Sequence, residues 1–189
     1  METIKEHLKS TFSSYELRLL QYSYLCVIYD VSKFIILFMF FYFLHLGKEF
    51  CIEILFLTSL RNFLGGLHCN HYTTCLAFSF AFSSAGIMLS HLVLLNNKFQ
   101  ISLLTVIILV SAIMKPITSV NRPPLSARLA KIYHCCGMTV LFVYFVLFLT
   151  TNTFPYRNLC FWVIVLQTMQ LAVANLNKKG EKETVSSFV

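Results

Sequence analysis

The amino-acid sequence predicts an all-α, polytopic integral membrane bundle. Of its 189 residues, 57% are hydrophobic and only 12% are charged, and the mean hydropathy is +0.71. Soluble domains carry about 25% charged residues, so this composition excludes that class. The apolar runs are continuous, whereas the strands of a membrane barrel alternate between apolar and polar residues. Helices are therefore the predicted spanning elements.

Six apolar stretches account for the predicted bundle. A helix needs about 20 apolar residues to cross a hydrocarbon core of about 30 Å, and most of the stretches approach that length. The second stretch contains Glu49 and Glu53 and is short enough to be doubtful as a full span. The six stretches are residues 31–47, 48–60, 76–95, 99–114, 137–154 and 159–176.

The regions flanking these stretches belong to one membrane-embedded domain, residues 1–189. From Ile4 to Tyr22, apolar residues recur at spacings of three and four. This pattern predicts that residues 1–30 form an amphipathic helix, which lies in the membrane interface or packs against the bundle. Residues 177–189 form a short polar tail, predicted to be cytoplasmic and mobile. No secretory signal precedes the first stretch.

The basic residues predict the orientation of the chain. If all six stretches cross the membrane, Lys48, Lys98 and Arg157 lie on one side and the other twelve of the 15 lysines and arginines lie on the other. The positive-inside rule then places both termini and residues 61–75 in the cytoplasm. The net charge of +7 thus indicates topology and contact with anionic lipid, with an acidic partner as the alternative. No nucleic-acid partner is predicted.

Cys75 differs from the other cysteines of the chain. The seven cysteines are odd in number and lie mostly in apolar runs, which indicates reduced thiols rather than a disulfide framework. Thr73 and Thr74 are good N-cap residues just before the apolar run that begins at Leu76, so Cys75 is predicted in the first turn of a helix. The positive end of the helix dipole stabilises a thiolate there. Cys75 is therefore a candidate nucleophile.

His68 is the candidate base for Cys75. On one unbroken helix, a separation of seven residues gives about 10 Å of rise, too far for the imidazole to reach the sulfur. The chain must therefore turn between them, and the adjacent Gly65 and Gly66, together with the polar run 69–74, provide the break. The glycine pair has two possible roles. It either forms a tight connection between packed helices, or it lets the backbone approach a reacting carbonyl closely enough to donate a hydrogen bond to the oxyanion.

The distribution of carboxylates favours thiol chemistry. No Asp or Glu lies between Glu53 and Glu181, so the central stretches cannot build an aspartic dyad or a His-Glu-x-x-His metal site. A Cys-His dyad needs no acid, because an amide such as Asn121 or a backbone carbonyl can orient the histidine. No cofactor is predicted.

Two alternatives stay open at this point. His68, Cys69, His71 and Cys75 are four possible zinc ligands, although their spacing lacks the pairing of common closed sites. A peptide exporter is the second alternative, because the polar segment 115–124 could line a path. Intramembrane charges usually mark such a path, and the central stretches have almost none.

The spacing of Arg61, Gly65-Gly66, His68 and Cys75 resembles the signature of the AgrB (accessory gene regulator B) family of membrane-embedded cysteine endopeptidases. A second, weaker stretch at 115–125 and the apolar layout of nearly the whole chain are also similar to that family. The resemblance implies that Cys75 is the nucleophile and His68 its base, with Arg61, Gly65 and Gly66 in support. Without the resemblance, Arg61 would be read equally as an anchor for lipid phosphate.

The resemblance also implies a substrate and a setting. Family members remove the C-terminal tail of a short AgrD-like propeptide, hold the acyl group on the cysteine, and pass it to a Cys or Ser of the precursor. A cyclic thiolactone or lactone quorum-sensing signal results. A homodimer in the bacterial cell membrane, with its active site facing the cytoplasm, is implied as well. Precursor tails in the family tend to be acidic, so nearby polar and basic residues are expected to guide them. These residues are Lys115, Asn121, Arg122, Arg128 and Lys131.

Overall fold

Six helices make up the described part of the protein. The computed structural model describes residues 14–65, 71–114, 127–151 and 153–186, and this part of the chain contains helices and no strand. Each predicted apolar stretch coincides with one helix, which confirms the all-α bundle. The helices are α1 (Ser14–Phe43), α2 (Gly47–Leu64), α3 (Tyr72–Leu92), α4 (Asn97–Ile113), α5 (Ala127–Thr150) and α6 (Arg157–Ser186).

Four of these helices are long and apolar enough to cross a membrane. α4 is apolar but has only 17 residues. α2 has 18 residues and carries Lys48, Glu49, Glu53 and Arg61, so it does not qualify, in agreement with the doubt about the second stretch. The four candidate spans are Ser23–Phe43, Tyr72–Leu92, Arg128–Thr150 and Arg157–Leu176.

α2 is nevertheless at the centre of the bundle. It packs against α1, α3, α5 and α6, and one of its faces is buried along the whole helix. α6 is the other central helix, with more than half of its apolar window buried, against less than a quarter in the other three candidate spans. Lipid is as apolar as a leucine side chain, so the outer helices lose nothing by exposing their phenylalanines to it. Of the four charged side chains of α2, Glu53 is buried inside the bundle, whereas Lys48 is exposed near the start of the helix.

Two hydrophobic clusters lie on either side of the α2 and α6 pair. The first joins these two helices to α4 and α5, and the second joins them to α1 and α3. Buried members of the first cluster include Leu60, Leu104, Leu141, Phe161 and Ile164. Buried members of the second cluster include Leu37, Phe41, Phe50, Phe82 and Val163. The bundle therefore holds α1 against α3 on one side of its central pair.

Glu53 points into the bundle between α2 and α3. It is 0% exposed, and neither carboxyl oxygen has a well-aligned hydrogen-bond partner among the described residues, although Ser83 lies beside it. A Cβ at Gly86 would lie 2.8 Å from Glu53 Oε1, so only a residue without a side chain leaves room for the carboxyl group. Small residues on α3 thus allow it to pack closely on α2 around a buried carboxyl.

A polar network at the end of the bundle opposite Cys75 joins the α3–α4 and α5–α6 connections. Arg157 Nε donates to Gln100 Oε1 at 3.0 Å, and Arg157 Nη1 donates to the Thr151 carbonyl at 2.7 Å. Gln100 Nε2 donates to Asn158 Oδ1 at 3.0 Å, and Asn158 Nδ2 donates to the Ser90 carbonyl at 2.7 Å. Arg157, which the sequence analysis used only as a marker of topology, therefore has a structural role in the bundle.

Two predicted boundaries differ from the observed helices. α1 runs without a break through residue 30, and its apolar window begins at Ser23, so the described part of region 1–30 continues into the first span. α6 continues to Ser186, so the backbone of the predicted tail is helical over most of its length. Residues 1–13 lie outside the described residues, and the interfacial location of region 1–30 stays a prediction. Helical propensity continues past the apolar window because polar residues such as Lys and Glu also favour helix.

Gly137 provides a test of the close contact between α5 and α2. A Cβ at Gly137 would lie 2.5 Å from Leu64 Cδ2 and 3.3 Å from Phe63 Cβ, whereas a Cβ at Gly47 would meet Tyr42 at an ordinary 3.5 Å. We expect Gly137→Ala to lower the free energy of unfolding by about 1–2 kcal/mol, because overpacking outweighs the gain in helix propensity. Gly47→Ala is the matched control and should be neutral or stabilising. Thermal unfolding in detergent measures both, and equal stability of the two variants would contradict the contact.

Candidate functional site

Cys75 lies in the first turn of α3. The helix begins at Tyr72, with His71 as an N-cap residue in extended conformation, and the Cys75 amide donates to the His71 carbonyl at 3.0 Å. The predicted position of Cys75 at a helix start is therefore confirmed. The prediction that Thr73 or Thr74 caps the helix is wrong, because the backbone is already helical at Tyr72 and both threonines lie inside the first turn.

α1 passes alongside this first turn. Ser32 Oγ and Tyr72 Oη are 2.8 Å apart, and the rings of Tyr29 and Tyr72 have their centroids 5.4 Å apart. Lys33 Nζ is 3.5 Å from Cys75 Sγ. Residues three and four apart share one face of a helix, so Tyr29, Ser32 and Lys33 form one contact surface, which we call the α1 contact face.

Lys33 is buried although it is charged. It is 8% exposed, and its Nζ forms an ion pair with Asp30 Oδ1 at 2.6 Å, while the Asp30 side chain is 72% exposed. A lipid-exposed carboxylate within the hydrocarbon is costly, so we expect the membrane boundary on α1 to lie near Asp30 rather than at Ser23. Cys75, which is half-buried, then lies close to that boundary.

Gly65 ends α2 in a conformation that favours glycine. Its φ of 79° is positive and its ψ is −165°, a combination that residues other than glycine disfavour, and its N–H donates to the Arg61 carbonyl at 2.9 Å. Its carbonyl accepts from Gln167 Nε2 at 2.7 Å. The predicted break in the chain is therefore present at Gly65. Gln167, which is fully buried on α6, was missed by the sequence analysis, because nothing in its local sequence distinguishes it from other span residues.

Arg61 lies in the last turn of α2 and is partly exposed. A positive charge at a helix C-terminus is stabilised by the helix dipole, so this position is favourable for the helix itself. Gly66, His68 and Cys69 lie outside the described residues. The pairing of His68 with Cys75 therefore stays a prediction, and so does the zinc alternative, which requires His68 and Cys69. Among the described residues, no group of three His, Cys, Asp or Glu side chains could hold a metal ion.

The described cysteines form no disulfide with one another, and the reduced state of the thiols stays a prediction. They are Cys26, Cys51, Cys75, Cys135, Cys136 and Cys160.

Two of the predicted substrate-binding residues are described, Arg128 and Lys131, and both are exposed near the start of α5. The beginning of α5 packs against the end of α2, where the Tyr133 and Phe63 ring centroids are 6.4 Å apart. Arg128 and Lys131 therefore lie at the same end of the bundle as Gly65. Lys115, Asn121 and Arg122 lie outside the described residues.

The fold and the site define a multi-pass helical membrane protein that carries a free thiol in the first turn of a helix. The sequence profile of the family Accessory gene regulator B, AgrB, matches residues 1–171, and the chain belongs to that family. A putative AgrB-like protein of Clostridium beijerinckii is 28% identical over 172 residues, which cover 90% of this chain and 83% of that relative. No solved structure matches significantly. Family membership confirms the resemblance and supports a role in the processing of agr quorum-sensing peptides, with an AgrD-like propeptide as the implied substrate.

Proposed function

We propose that the protein is a Cys-His endopeptidase that removes the C-terminal tail of an AgrD-like propeptide and supports its cyclisation to a thiolactone or lactone signal. The observation that carries the proposal is the position of Cys75, a free and half-buried thiol in the first turn of α3. The positive end of a helix favours the thiolate, which is the nucleophilic form of cysteine.

Besides the nucleophilic thiol, cleavage needs one residue that accepts a proton and later donates it. His68 takes the proton of Cys75, and the thiolate attacks the scissile carbonyl carbon. A C–S bond forms, the peptide C–N bond breaks, and the leaving amine of the tail receives the proton from His68. The acyl group of the propeptide is then held on Cys75 as a thioester.

Cyclisation reverses this proton path. A thiol or hydroxyl of the propeptide attacks the thioester carbon, its proton passes through His68 to the Cys75 sulfur, and the bond between Cys75 and the acyl group breaks. No oxidant, metal or other cofactor is consumed. The thioester must be kept from water until the internal nucleophile arrives, and a site at the edge of a helical bundle helps to exclude water.

The remaining site residues serve this reaction in supporting roles. Gly65 and Gly66 allow the backbone to approach the reacting carbonyl and supply an oxyanion donor, and Arg61 supports the same turn. Basic and polar residues guide the acidic tail of the precursor, and the exposure of Arg128 and Lys131 at the Gly65 end of the bundle supports this role. The full set is Lys115, Asn121, Arg122, Arg128 and Lys131. We propose that this end faces the cytoplasm and that the protein acts as a homodimer.

Trapping the acyl intermediate tests the proposal. Protein in liposomes is mixed with its AgrD-like precursor, quenched in acid within one turnover and mapped by mass spectrometry. We expect the N-terminal part of the precursor on Cys75 through a bond that hydroxylamine cleaves, with one tail released for each adduct. An adduct on another cysteine, or release of the tail without any adduct, would contradict the proposal.

Two controls test whether the adduct is specific to Cys75 and whether it forms without a metal ion. Cys135→Ala removes an exposed thiol of α5 and should leave the adduct unchanged. A sample treated with a metal chelator should also form it, because a thiol peptidase needs no metal. Loss of the adduct on chelation and its return with zinc would instead favour the zinc alternative.

A further inference from the structure

We propose that the Lys33 ammonium, in contact with the Cys75 sulfur, stabilises the negative charge that this sulfur carries during the reaction, so that α1 supplies a charged group to the active site. The inference rests on the proposed function of Cys75 as the nucleophile. It goes beyond the Cys-His pair because it assigns a role in catalysis to a residue of a different helix, 42 positions earlier in the chain.

The contact is built into the packing of α1 on α3. Lys33 Nζ lies 3.5 Å from Cys75 Sγ, within the range of a hydrogen bond to sulfur. The other two residues of the α1 contact face hold the register, since Ser32 bonds to Tyr72 and the Tyr29 ring lies against the Tyr72 ring. Tyr72 and Cys75 belong to the same turn of α3, so the hydroxyl and ring contacts of Tyr72 position Lys33 beside the sulfur.

The burial of Lys33 indicates that its ammonium makes a functional contact inside the protein. Lysine is almost never nine-tenths buried unless its ammonium is paired. Asp30 pairs with it at 2.6 Å, but the Asp30 side chain is largely exposed, and an exposed ion pair contributes little to stability. Such a pair could form equally well on the surface of α1. Burial adds the contact between the ammonium and the Cys75 sulfur, at a position where water screens the charge of the ammonium less than it does on the surface.

The ammonium assists both halves of the proposed reaction and keeps its own proton in each. Before cleavage it favours the negative sulfur that attacks the carbonyl carbon. Once the thioester forms, the sulfur is neutral. When the nucleophile of the propeptide attacks, the Cys75 sulfur leaves with a developing negative charge, and the ammonium stabilises it again. Lys33 therefore favours acyl transfer to the propeptide as well as cleavage of the tail.

The test uses the reactivity of the thiol itself. Wild-type protein, Lys33→Met and Lys33→Arg are reconstituted in liposomes and alkylated with N-ethylmaleimide, and the rate at each cysteine is read by mass spectrometry. An opposite charge at this distance changes the population of a charged form by about tenfold or more, so alkylation of Cys75 should slow by about that factor in Lys33→Met. Lys33→Arg keeps the charge and should retain most of the rate. Cys135 of the same molecule is the internal control and should react unchanged in every variant.

Turnover provides a second measurement. With the AgrD-like precursor, we expect Lys33→Met to lower kcat and leave KM nearly unchanged, and Lys98→Met, at the opposite end of the bundle, to change neither. An unchanged alkylation rate at Cys75 in folded Lys33→Met would overturn the inference. So would an equal loss in Lys33→Arg, because packing rather than charge would then be responsible. If Lys33→Met does not fold, Lys33→Gln is the second neutral variant, and it must show the same slower alkylation.

Failure of this inference is distinguishable from failure of the proposed function. If Cys75→Ala still cleaves the precursor, the proposed function is wrong, whatever the alkylation rates are. If Cys75→Ala is inactive while Lys33→Met alkylates and cleaves normally, only the role of Lys33 is wrong.

Discussion

Replacing Cys75 with alanine is expected to abolish cleavage of the AgrD-like precursor, with a loss in kcat of at least about a thousandfold. Removing the nucleophile of a comparable peptidase leaves only the rate enhancement due to binding and oxyanion stabilisation. Alanine lacks any group that could form an acyl intermediate, and the helix start at Tyr72 does not depend on the Cys75 side chain, because Cys75 contributes its amide to the His71 carbonyl. Release of the tail from precursor added to liposomes measures the effect.

Two variants serve as matched controls for this result. Cys51→Ala and Cys135→Ala remove exposed free thiols on α2 and α5 and should cleave at the wild-type rate. Thermal unfolding in detergent should show that Cys75→Ala is folded, since a cysteine to alanine change at a half-buried position leaves little space. Cleavage by Cys75→Ala at a rate close to that of the wild type would remove Cys75 from the mechanism.

Replacing Phe161 with alanine is expected to have the largest effect on stability, a loss of about 2–3 kcal/mol. Phe161 is 0% exposed on α6 and belongs to the cluster that joins α2, α4, α5 and α6. In a water-soluble core, this change costs about 3–5 kcal/mol, part of which is the transfer of apolar surface from water. The transfer contribution is largely absent here because the unpacked side chain would meet lipid, whereas the cost of the cavity and of the lost contacts remains.

Phe142→Ala is the control for this comparison. Phe142 lies on α5 and is 59% exposed on the outer surface of the bundle. Lipid can fill the space that the missing ring leaves, so the stability of this variant should stay close to that of the wild type. Unfolding in a series of denaturing detergent mixtures measures both variants. If the two phenylalanines cost the same, the assignment of α6 to the centre of the bundle would be wrong.

Most of the fold follows from local sequence. Continuous apolar runs of helical length located all six helices, since only helices satisfy their backbone groups within one segment in lipid. The charged residues in and beside the second apolar run indicate that α2 is not a full membrane span. The sequence predicts Cys75 at a helix start because the polar run before Leu76 ends where the apolar run begins. The observed N-cap residue is His71, rather than Thr73 or Thr74.

The inner and outer faces of the helices could not be obtained from the same patterns. In water, apolar residues mark the buried face, but in lipid both the core and the outer surface are apolar, so hydropathy does not distinguish them. Phe161 and Phe142 look alike in sequence, yet one is buried at the centre and the other faces outward. The packing of the six helices determines that Phe161 is buried and Phe142 exposed, and it places α2 in the interior of the bundle.

The sequence by itself determined the helices, the break at Gly65 and the candidate nucleophile, because each depends on neighbouring residues. The tertiary structure alone decided that Gln167 bonds to the Gly65 carbonyl, 102 positions away, and that Lys33 lies beside Cys75. Such contacts depend on the tilt and rotation of whole helices, which result from the sum of many weak packing interactions. No local sequence pattern encodes the total of these packing interactions. Lys33, which the sequence indicates only as one of the basic residues that set the topology, therefore lies beside Cys75 for a reason that only the packing of the helices provides.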